Sequence, residues 1–165
     1  MNTSVEKKSG NLLGIPSSDT KNICGLLNQL LADEHILYIK MRNFHWNLVG
    51  PSFVEIHEFI EKLYNQTALD IDVVAERIQQ LRHAAAGSMA EFLEIAHLKE
   101  STGGKKEQTQ AVRELASDSD SLARTLRTMI SEIDEQYDDP GTVDLLTGIL
   151  RSQEKNAWML RRYLG

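Results

Sequence analysis

Apolar residues recur at alternating spacings of three and four along most of the chain, which is the periodicity of amphipathic helices. Four such stretches lie between the prolines. A long connection of roughly residues 84–105 separates the second from the third and holds a short apolar segment, Phe92–Leu98. No segment alternates with a period of two, so we expect no sheet. The pattern predicts an all-α four-helix bundle with a long crossover that contains a short helix.

Residues suited to capping mark the predicted helix ends. Ser17–Thr20 follow a proline and offer N-cap side chains for the first helix. Ser52 is expected to cap the second helix, with Glu55 at the partner position of a capping box. Thr142 or Gly141 is expected to open the fourth helix. These boundaries divide the chain into a flexible tail, residues 1–17, and the bundle, residues 18–165.

Length and composition are typical of one globular domain. The chain has 165 residues, 41% of them hydrophobic and 25% charged, and a formal net charge of −6. Cys24 is the only cysteine, which excludes an internal disulfide and is compatible with a reducing compartment. No apolar run approaches the ~20 residues that span a bilayer, and residues 1–10 do not resemble a secretory signal. We therefore expect a cytoplasmic protein without membrane contact.

Two pairs of potential metal ligands lie on the second predicted helix. His57 and Glu61 are four residues apart, as are Asp72 and Glu76, so each pair projects from one face of the helix. Imidazole and carboxylate groups bind iron, zinc and manganese. Glu61 and Asp72 are separated by about 16 Å along the axis, whereas metal–ligand bonds measure only about 2.0–2.6 Å. One chain therefore cannot bring both pairs to one ion.

A two-fold axis removes this difficulty. If two copies of the helix pack antiparallel, the first pair of one copy meets the second pair of the other, and each dimer holds two equivalent sites. His45 closes the first helix shortly before the second begins, so it is placed to join the first pair. The predicted site takes three ligands from one subunit and two from its mate: His45, His57 and Glu61, then Asp72 and Glu76. The residues expected near the axis are Tyr64, Asn65 and Ala68.

The segment around these ligands carries a family resemblance. Its motifs are His45-Trp46-Asn47, Gly50-Pro51, Phe53, His57-Glu58, Asp72 and Ala75-Glu76-Arg77. With these residues the chain resembles the Dps proteins, the DNA-binding proteins from starved cells, or mini-ferritins. The C-terminal motifs Asp144–Thr147 and Ala157-Trp158 look like the last helix of that family. The resemblance covers essentially the whole chain from about residue 19.

The resemblance implies both an assembly and an activity. The assembly is a hollow homododecamer with an inter-subunit ferroxidase centre at the five positions paired above. The activity is oxidation of Fe(II) to Fe(III), usually by hydrogen peroxide, with storage of a ferric mineral inside. Two positions depart from the family pattern. Glu61 stands where an aspartate is common, and Arg82 stands where a glycine often precedes the His83 position.

Each predicted ligand also has a structural interpretation. His45 fits the C-terminal end of a helix because that end favours a positive charge. His57 and Glu61 fit a solvated pair. Asp72 fits an ion pair with Arg77, and Glu76 fits one with Lys62 of a neighbouring subunit. The predicted metal site rests on the whole set in its motif context.

Several residues outside this set have two interpretations. Trp46 fits core packing or the interception of stray oxidising equivalents beside the centre. Glu34, on the apolar stripe of the first helix, fits a buried carboxylate with a partner, which we favour, or a secondary metal site. Glu94 and His97 match a Glu-x-x-His motif, but an exposed polar face is favoured for them. Cys24 fits a packed thiol better than a reactive one.

An acidic run near the end of the third long helix also has two interpretations. It fits a solvated helix end equally well as the lining of an ion-entry pore at a three-fold axis. Its members are Asp134, Glu135, Asp138 and Asp139.

DNA binding is the property that the charge argues against. Phosphate neutralisation needs clustered basic residues. The termini offer only Lys7, Lys8, Arg161 and Arg162 against the overall charge of −6. We predict weak or absent DNA binding at physiological salt. The alternative function is a nucleoid-associated, DNA-protecting protein whose metal site is secondary.

Overall fold

Four long helices and one short helix form the chain in a computed structural model, which describes residues 13–165. The elements in order are α1 (Ser17–Asn47), β1 (Leu48–Val49), α2 (Phe53–Gln80), α3 (Met89–Ile95), β2 (Lys106–Glu107), α4 (Gln108–Gln136) and α5 (Pro140–Leu164). The predicted four-helix bundle with a crossover and a short helix is confirmed. Most of the predicted tail, including Lys7 and Lys8, lies outside the described residues, and the rest of it reaches into α1 at Ser17.

Two antiparallel helix pairs pack together to form the core. The α1–α2 hairpin and the α4–α5 hairpin bury their apolar stripes against each other, with α1 beside α4 and α2 beside α5. The α2 stripe runs along one side from Ile56 to Leu81, as its spacing predicts. None of the helices in residues 13–165 is long and apolar enough to cross a membrane.

A short parallel strand pair corrects the expectation that no sheet forms. Leu48 pairs with Lys106 and Val49 pairs with Glu107, where the chain leaves α1 and where it enters α4. Two residues per strand are too few to produce a visible alternation in the sequence. The pairing closes the crossover onto the end of the first helix.

The caps of the helices also differ from expectation. Ser52 makes no capping bond through its side chain, and its backbone N–H donates instead to Oε1 of Gln108 at 3.0 Å. Ser17–Thr20 lie within the first turn of α1 rather than before it, and Pro16 occupies the N-cap position. Asp139, not Gly141 or Thr142, caps α5. A capping bond depends on where the preceding loop directs the chain, which local sequence does not determine.

The crossover is attached along α1 by polar side chains. Oδ1 of Asn28 accepts a hydrogen bond from the backbone N–H of Ala86 at 2.8 Å. Oδ1 of Asp33 accepts from the N–H groups of His97 and Leu98, each at 2.7 Å. Because α3 ends at Ile95, His97 lies beyond the helix and does not share a helical face with the glutamate of the Glu-x-x-His motif.

Arg82, which stands where the family often has a glycine, adopts a backbone conformation that favours glycine. Arg82 has a φ of 67°, in the left-handed region that favours glycine. A non-glycine residue in that region costs of order 1–2 kcal/mol. The turn nevertheless forms. The N–H of His83 donates to the carbonyl of Ile78, and Nε2 of His83 lies within hydrogen-bond distance, 3.1 Å, of Oγ1 of Thr20.

Cys24 is the packed thiol that the sequence favours. Its side chain is buried and forms no disulfide. Burial raises the pKa of the thiol to about 11, although the nearby Arg77 opposes the change. A thiol with so high a pKa carries little thiolate near neutral pH and is a poor nucleophile.

A buried ion pair joins the end of α2 to the start of α5. Arg77 donates to both oxygens of Asp139, at 2.8 and 3.0 Å, and to Oγ1 of Thr142 at 2.9 Å. Asp139 also accepts from the backbone N–H and the hydroxyl of Thr142. Burial alone would raise the pKa of Asp139, but the hydrogen bonds from Thr142 and Arg77 outweigh it, so the pKa lies below its ordinary value.

The lowered pKa of Asp139 predicts acid-sensitive stabilisation. The unfolded carboxyl titrates near pH ~4, so the stabilisation is fully present above that pH and is lost as the pH falls through the lower folded pKa. Asp139→Asn keeps a capping oxygen but removes the charge, and should cost about 1–3 kcal/mol at pH 7. The measurement is the urea midpoint of wild type and variant at pH 7 and again near pH 3, where the difference should shrink.

Asp138→Asn is the matched control, because Asp138 is an exposed neighbour for which no ion pair is found among the described residues. An equal loss of stability in both variants, or a loss in Asp139→Asn that does not depend on pH, would contradict the assignment.

Candidate metal centre

Two histidines from different helices stack against each other at one end of the α1–α2 hairpin. His45 lies in the last turn of α1, and His57 lies in the second turn of α2. Their ring centroids are 3.6 Å apart and their planes differ by 17°. The sequence predicts this proximity from the short loop between the helices. His45 is buried, whereas His57 is partly exposed.

The two rings are fixed by a reciprocal pair of hydrogen bonds. Nδ1 of His45 lies 3.0 Å from the carbonyl oxygen of His57, and Nδ1 of His57 lies 2.9 Å from the carbonyl oxygen of His45. A carbonyl only accepts, so each Nδ1 carries the proton and donates. Each Nε2 then carries the lone pair that binds a metal ion. Because both Nδ1 atoms are used in these bonds, Nε2 is the atom of each ring that remains for a metal ion.

Glu61 stands one turn beyond His57 and is oriented by Tyr64. The hydroxyl of Tyr64 donates to Oε1 of Glu61 at 3.3 Å. Tyr64 also packs edge-on against the ring of His45, with centroids 5.2 Å apart. Burial and the charge of Glu61 raise the pKa of Tyr64, which keeps the hydroxyl protonated as a donor. Tyr64 therefore links Glu61 to the ring of His45, but within the described residues the three predicted ligands are not grouped closely enough to hold an ion.

Tyr64, one of the residues expected near the two-fold axis, is buried within its own chain, where it packs against His45 and Tyr38. Asn65 and Ala68 are exposed. Tyr64 contributes to the candidate site by positioning Glu61.

A cluster on α1 next to the histidines is absent from the sequence-based prediction. The guanidinium of Arg42 lies over the rings of Tyr64 and Trp46, 4.9 Å from each centroid, and Nη1 donates to the hydroxyl of Tyr38 at 2.9 Å. Tyr38, Arg42 and Trp46 are spaced by four, which is the signal that identifies their shared face. Trp46 is 63% exposed, so the core-packing interpretation of this residue is wrong for the chain.

The other two predicted ligands lie far from this group. Asp72 and Glu76 are exposed near the opposite end of α2. His57 and Glu76 are separated by nineteen positions, or roughly 28 Å along the helix axis. Across residues 13–165, no three histidine, cysteine, aspartate or glutamate side chains of one chain are grouped to hold a metal ion. The predicted ligands of one chain therefore lie in two separate groups, one near each end of α2.

The contacts of Arg77 and Asp139 change two of the interpretations considered from the sequence, the ion pair of Asp72 and the acidic pore lining. Arg77 pairs with Asp139, so it is not the ion-pair partner that was considered for Asp72. Asp139 is buried in its capping role, which removes it from the acidic run considered as a pore lining. The other members of that run, Asp134, Glu135 and Asp138, are exposed.

Comparison with known proteins identifies the family. The model of the ferritin-like domain matches residues 24–165. DNA protection during starvation protein 2 of Bacillus anthracis is 38% identical, over 87% of this chain and 97% of that protein. The crystal structure of the Dps protein from Vibrio cholerae O1 superposes with a TM-score of 0.90 at 31% identity, covering 95% of this chain and 98% of that one.

The chain belongs to the Dps family of ferritin-like proteins. The Dps protein of Bacillus brevis adds to this likeness, with a TM-score of 0.85, 36% identity and coverage of 90% of this chain and 98% of that one. A low temperature-induced protein of Nostoc is 37% identical over 92% of this chain and 85% of its own length. The Vibrio protein is described as a member of a superfamily of diiron-carboxylate proteins. The family resemblance inferred from the histidine motif is confirmed.

The hydrogen bond from Tyr64 to Glu61 generates a test of the predicted metal ligand Glu61. Tyr64→Phe removes the donor and leaves the packing, so Glu61 loses its fixed orientation. Loss of such a supporting bond typically lowers metal affinity by about 10-fold or more. Titration with Co(II), followed by its visible absorption, measures the change.

Tyr137→Phe is the control, because Tyr137 is also partly buried but lies at the end of α4. Unchanged Co(II) affinity in Tyr64→Phe would remove Tyr64 from the site.

Proposed function

We propose that this chain is an iron-detoxifying and iron-storing mini-ferritin with ferroxidase activity. Its substrate is Fe(II), its product is Fe(III), and hydrogen peroxide is the proposed oxidant. The observation that carries the proposal is the reciprocal bonding of His45 and His57, which leaves the Nε2 lone pairs of both rings available beside Glu61. A cytoplasmic location belongs to the same proposal and is supported by the free thiol of Cys24.

The shared site requires a second copy of the chain. One end of α2 carries two carboxylates, Asp72 and Glu76, and no histidine. The proposed ligands at the other end are two histidines and one carboxylate: His45, His57 and Glu61. Two copies of α2 packed antiparallel bring the two half-sites together twice, once at each end. The proposed ligand set is therefore His45, His57 and Glu61 of one subunit with Asp72 and Glu76 of its mate.

The outer face of α2 supports this contact. Large apolar side chains remain exposed along it in the single chain: Val54, Leu69 and Val73. Exposed apolar surface of this kind marks an interaction site in a folded protein. Membership of the Dps family extends the proposal from the dimer to a hollow homododecamer that stores the ferric mineral.

The chemistry follows from the donors. Two Fe(II) ions bound together give one electron each to hydrogen peroxide, so the O–O bond breaks and, with two protons, two water molecules form. Paired delivery avoids the single-electron step that releases hydroxyl radical. Imidazole binds Fe(II) well, and the carboxylates favour the harder Fe(III) product.

Subunit complementation tests the shared site. His57→Ala and Asp72→Ala should each abolish most of the peroxide-dependent oxidation of Fe(II), because each removes a ligand from every site. When the two variants are unfolded together and refolded at equal amounts, half of the dimers are mixed, and each mixed dimer holds one intact site. The mixture should recover roughly a quarter of wild-type activity. Ferric absorbance after anaerobic Fe(II) loading and peroxide addition gives the rate.

His97→Ala is the matched histidine control, because His97 is exposed on the crossover. Wild-type rates in both single variants would overturn the assigned ligands. Inactive single variants with no recovery in the mixture would contradict the inter-subunit arrangement.

A nucleoid-associated, DNA-protecting role is the second candidate, and the names of the relatives favour it. The surface charge opposes it. Arg161 forms a salt bridge with Asp120 at 2.5 Å. Its neighbour Arg162 is exposed and forms no salt bridge within the described part of the chain. DNA affinity scales with the number of neutralised phosphates.

A gel shift separates the two roles. With supercoiled plasmid at 150 mM salt, little or no retardation is expected, because a net charge of −6 per chain is multiplied in the assembly. Lowering the salt tenfold should strengthen any residual binding. Tight binding at 150 mM salt would make the DNA-protecting role primary.

A further inference from the structure

Glu34 is a carboxylate enclosed in the middle of the bundle. It lies on the apolar stripe of α1, is 0% exposed, and neither of its oxygens finds a hydrogen-bond partner among the described residues. Burial, followed by the charges of Asp70 and Asp33, raises its pKa well above the ordinary value. The partner expected for a structural role is therefore missing, and a buried carboxylate without compensation is costly.

The two acidic neighbours of Glu34, Asp33 and Asp70, differ in how many of their oxygens have hydrogen-bond partners. Oδ1 of Asp33 is already satisfied by the backbone N–H groups of His97 and Leu98. Asp70, on α2, uses Oδ1 to accept from Gln66 at 2.9 Å, while its buried Oδ2 has no partner within residues 13–165. Asp70 therefore offers one free oxygen inside the bundle.

A third unsatisfied side chain comes from α5. Gln153 is 0% exposed, and neither the oxygen nor the nitrogen of its amide has a partner in the described part of the chain. A buried amide normally makes hydrogen bonds. Glu34, Asp70 and Gln153 have six terminal oxygen and nitrogen atoms between them. Five of these atoms have no hydrogen-bond partner among the described residues, and all three side chains are fully or nearly fully buried.

Helix register places these three residues at one level of the bundle. The contacts of His45 with His57 and of Cys24 with Ile78 fix the antiparallel α1–α2 pairing, in which Glu34 lies level with about residue 68. The contact of Arg77 with Thr142 fixes the antiparallel α2–α5 pairing, in which Gln153 lies level with about residue 66. At 1.5 Å per residue, the three positions fall within about one helical turn.

We propose that Glu34, Asp70 and Gln153 bind a hard divalent cation inside the four-helix bundle of a single subunit. Both oxygens of Glu34, Oδ2 of Asp70 and the amide oxygen of Gln153 provide four oxygen ligands. Oxygen-only donors suit Mn²⁺ and Ca²⁺. The two negative charges balance the two positive charges of the ion, and every unsatisfied carboxylate oxygen of the group gains a partner.

The absence of a hydrogen bond between Glu34 and Asp70 favours an ion over a shared proton. Two carboxyl groups that share a proton approach to roughly 2.5–2.7 Å between oxygens. Glu34 makes no hydrogen bond with Asp70 or with any other described residue, although Asp70 acts on it electrostatically. The oxygens without hydrogen-bond partners are therefore available to an ion.

This site is separate from the proposed ferroxidase centre. All of its ligands come from one chain, it contains no histidine, and it is enclosed in the core rather than exposed on α2. Because the ligand sets do not overlap, binding at Glu34 does not depend on the function proposed for His57 and Asp72.

Mn²⁺ binding to the assembled protein tests the proposal. The background is the double variant His57→Ala/Asp72→Ala, which removes both halves of the proposed inter-subunit centre. Electron paramagnetic resonance should detect about one Mn²⁺ per chain with few exchangeable water ligands, as expected for a buried site. Adding Glu34→Gln to the background, which keeps the shape and removes one charge, should lower the affinity at least tenfold. Gln153→Leu should lower it less.

Glu94→Gln in the same background is the matched control, because Glu94 is exposed on α3. Circular dichroism and size-exclusion chromatography establish that each variant folds and assembles. No buried Mn²⁺ in the background, or equal affinity in Glu34→Gln and Glu94→Gln, would overturn the site. That result would assign Glu34 as a neutral, protonated acid.

Diffraction from Mn²⁺-soaked crystals of the unmodified protein gives a second measurement that needs no variant. An anomalous peak among Glu34, Asp70 and Gln153 supports the proposal, and its absence overturns it. A peak only at the half-sites of His57 or Asp72 supports the proposed function and rejects the internal site.

Discussion

The reciprocal hydrogen bonds between His45 and His57 are the constraint on which the rest of the structure depends. Each ring bonds to the backbone carbonyl of the other residue, so neither helix can slide or rotate without breaking both bonds. The same pair therefore sets the register of α1 against α2 and the state of the imidazoles. Further along the hairpin, that register brings Tyr38 to Tyr64. One set of contacts aligns the two helices and orients the two imidazoles that are proposed as metal ligands.

Helical periodicity explains why so much could be predicted from the sequence. The stripes of α2 and α4 repeat every three to four residues, and the separation of the ligand pairs follows from helix pitch alone. The errors concern residues whose partners are distant in the chain. Ser52 lost its expected capping role to a contact with Gln108, fifty-six positions away. Asp139, rather than Gly141 or Thr142, caps α5 and is bound there by Arg77 of α2, and no local pattern records either contact.

The buried polar side chains of the bundle fall into two groups, those with hydrogen-bond partners and those without. Arg77 and Asp139 have partners for their charges, and with Thr142 they form a network that joins two helices at one end. Glu34 and Gln153, near the middle, have none among the described residues. A natural core rarely keeps unsatisfied polar groups without a reason such as an ion or ordered water. The contrast within one molecule makes the central group notable, since the same fold shows how completely it can satisfy buried polar atoms.

The loop between α1 and α2 has an evolutionary consequence. Gly50 has a φ of 152°, and a Cβ at this position would overlap the side chain of Gln108, whose oxygen holds the N–H of Ser52. Any larger residue at 50 would displace Gln108 and release the start of α2. A side chain at position 50 would therefore meet two obstacles, a backbone conformation that L residues rarely adopt and the side chain of Gln108, so shortening the glutamine alone would not permit an evolutionary replacement of the glycine.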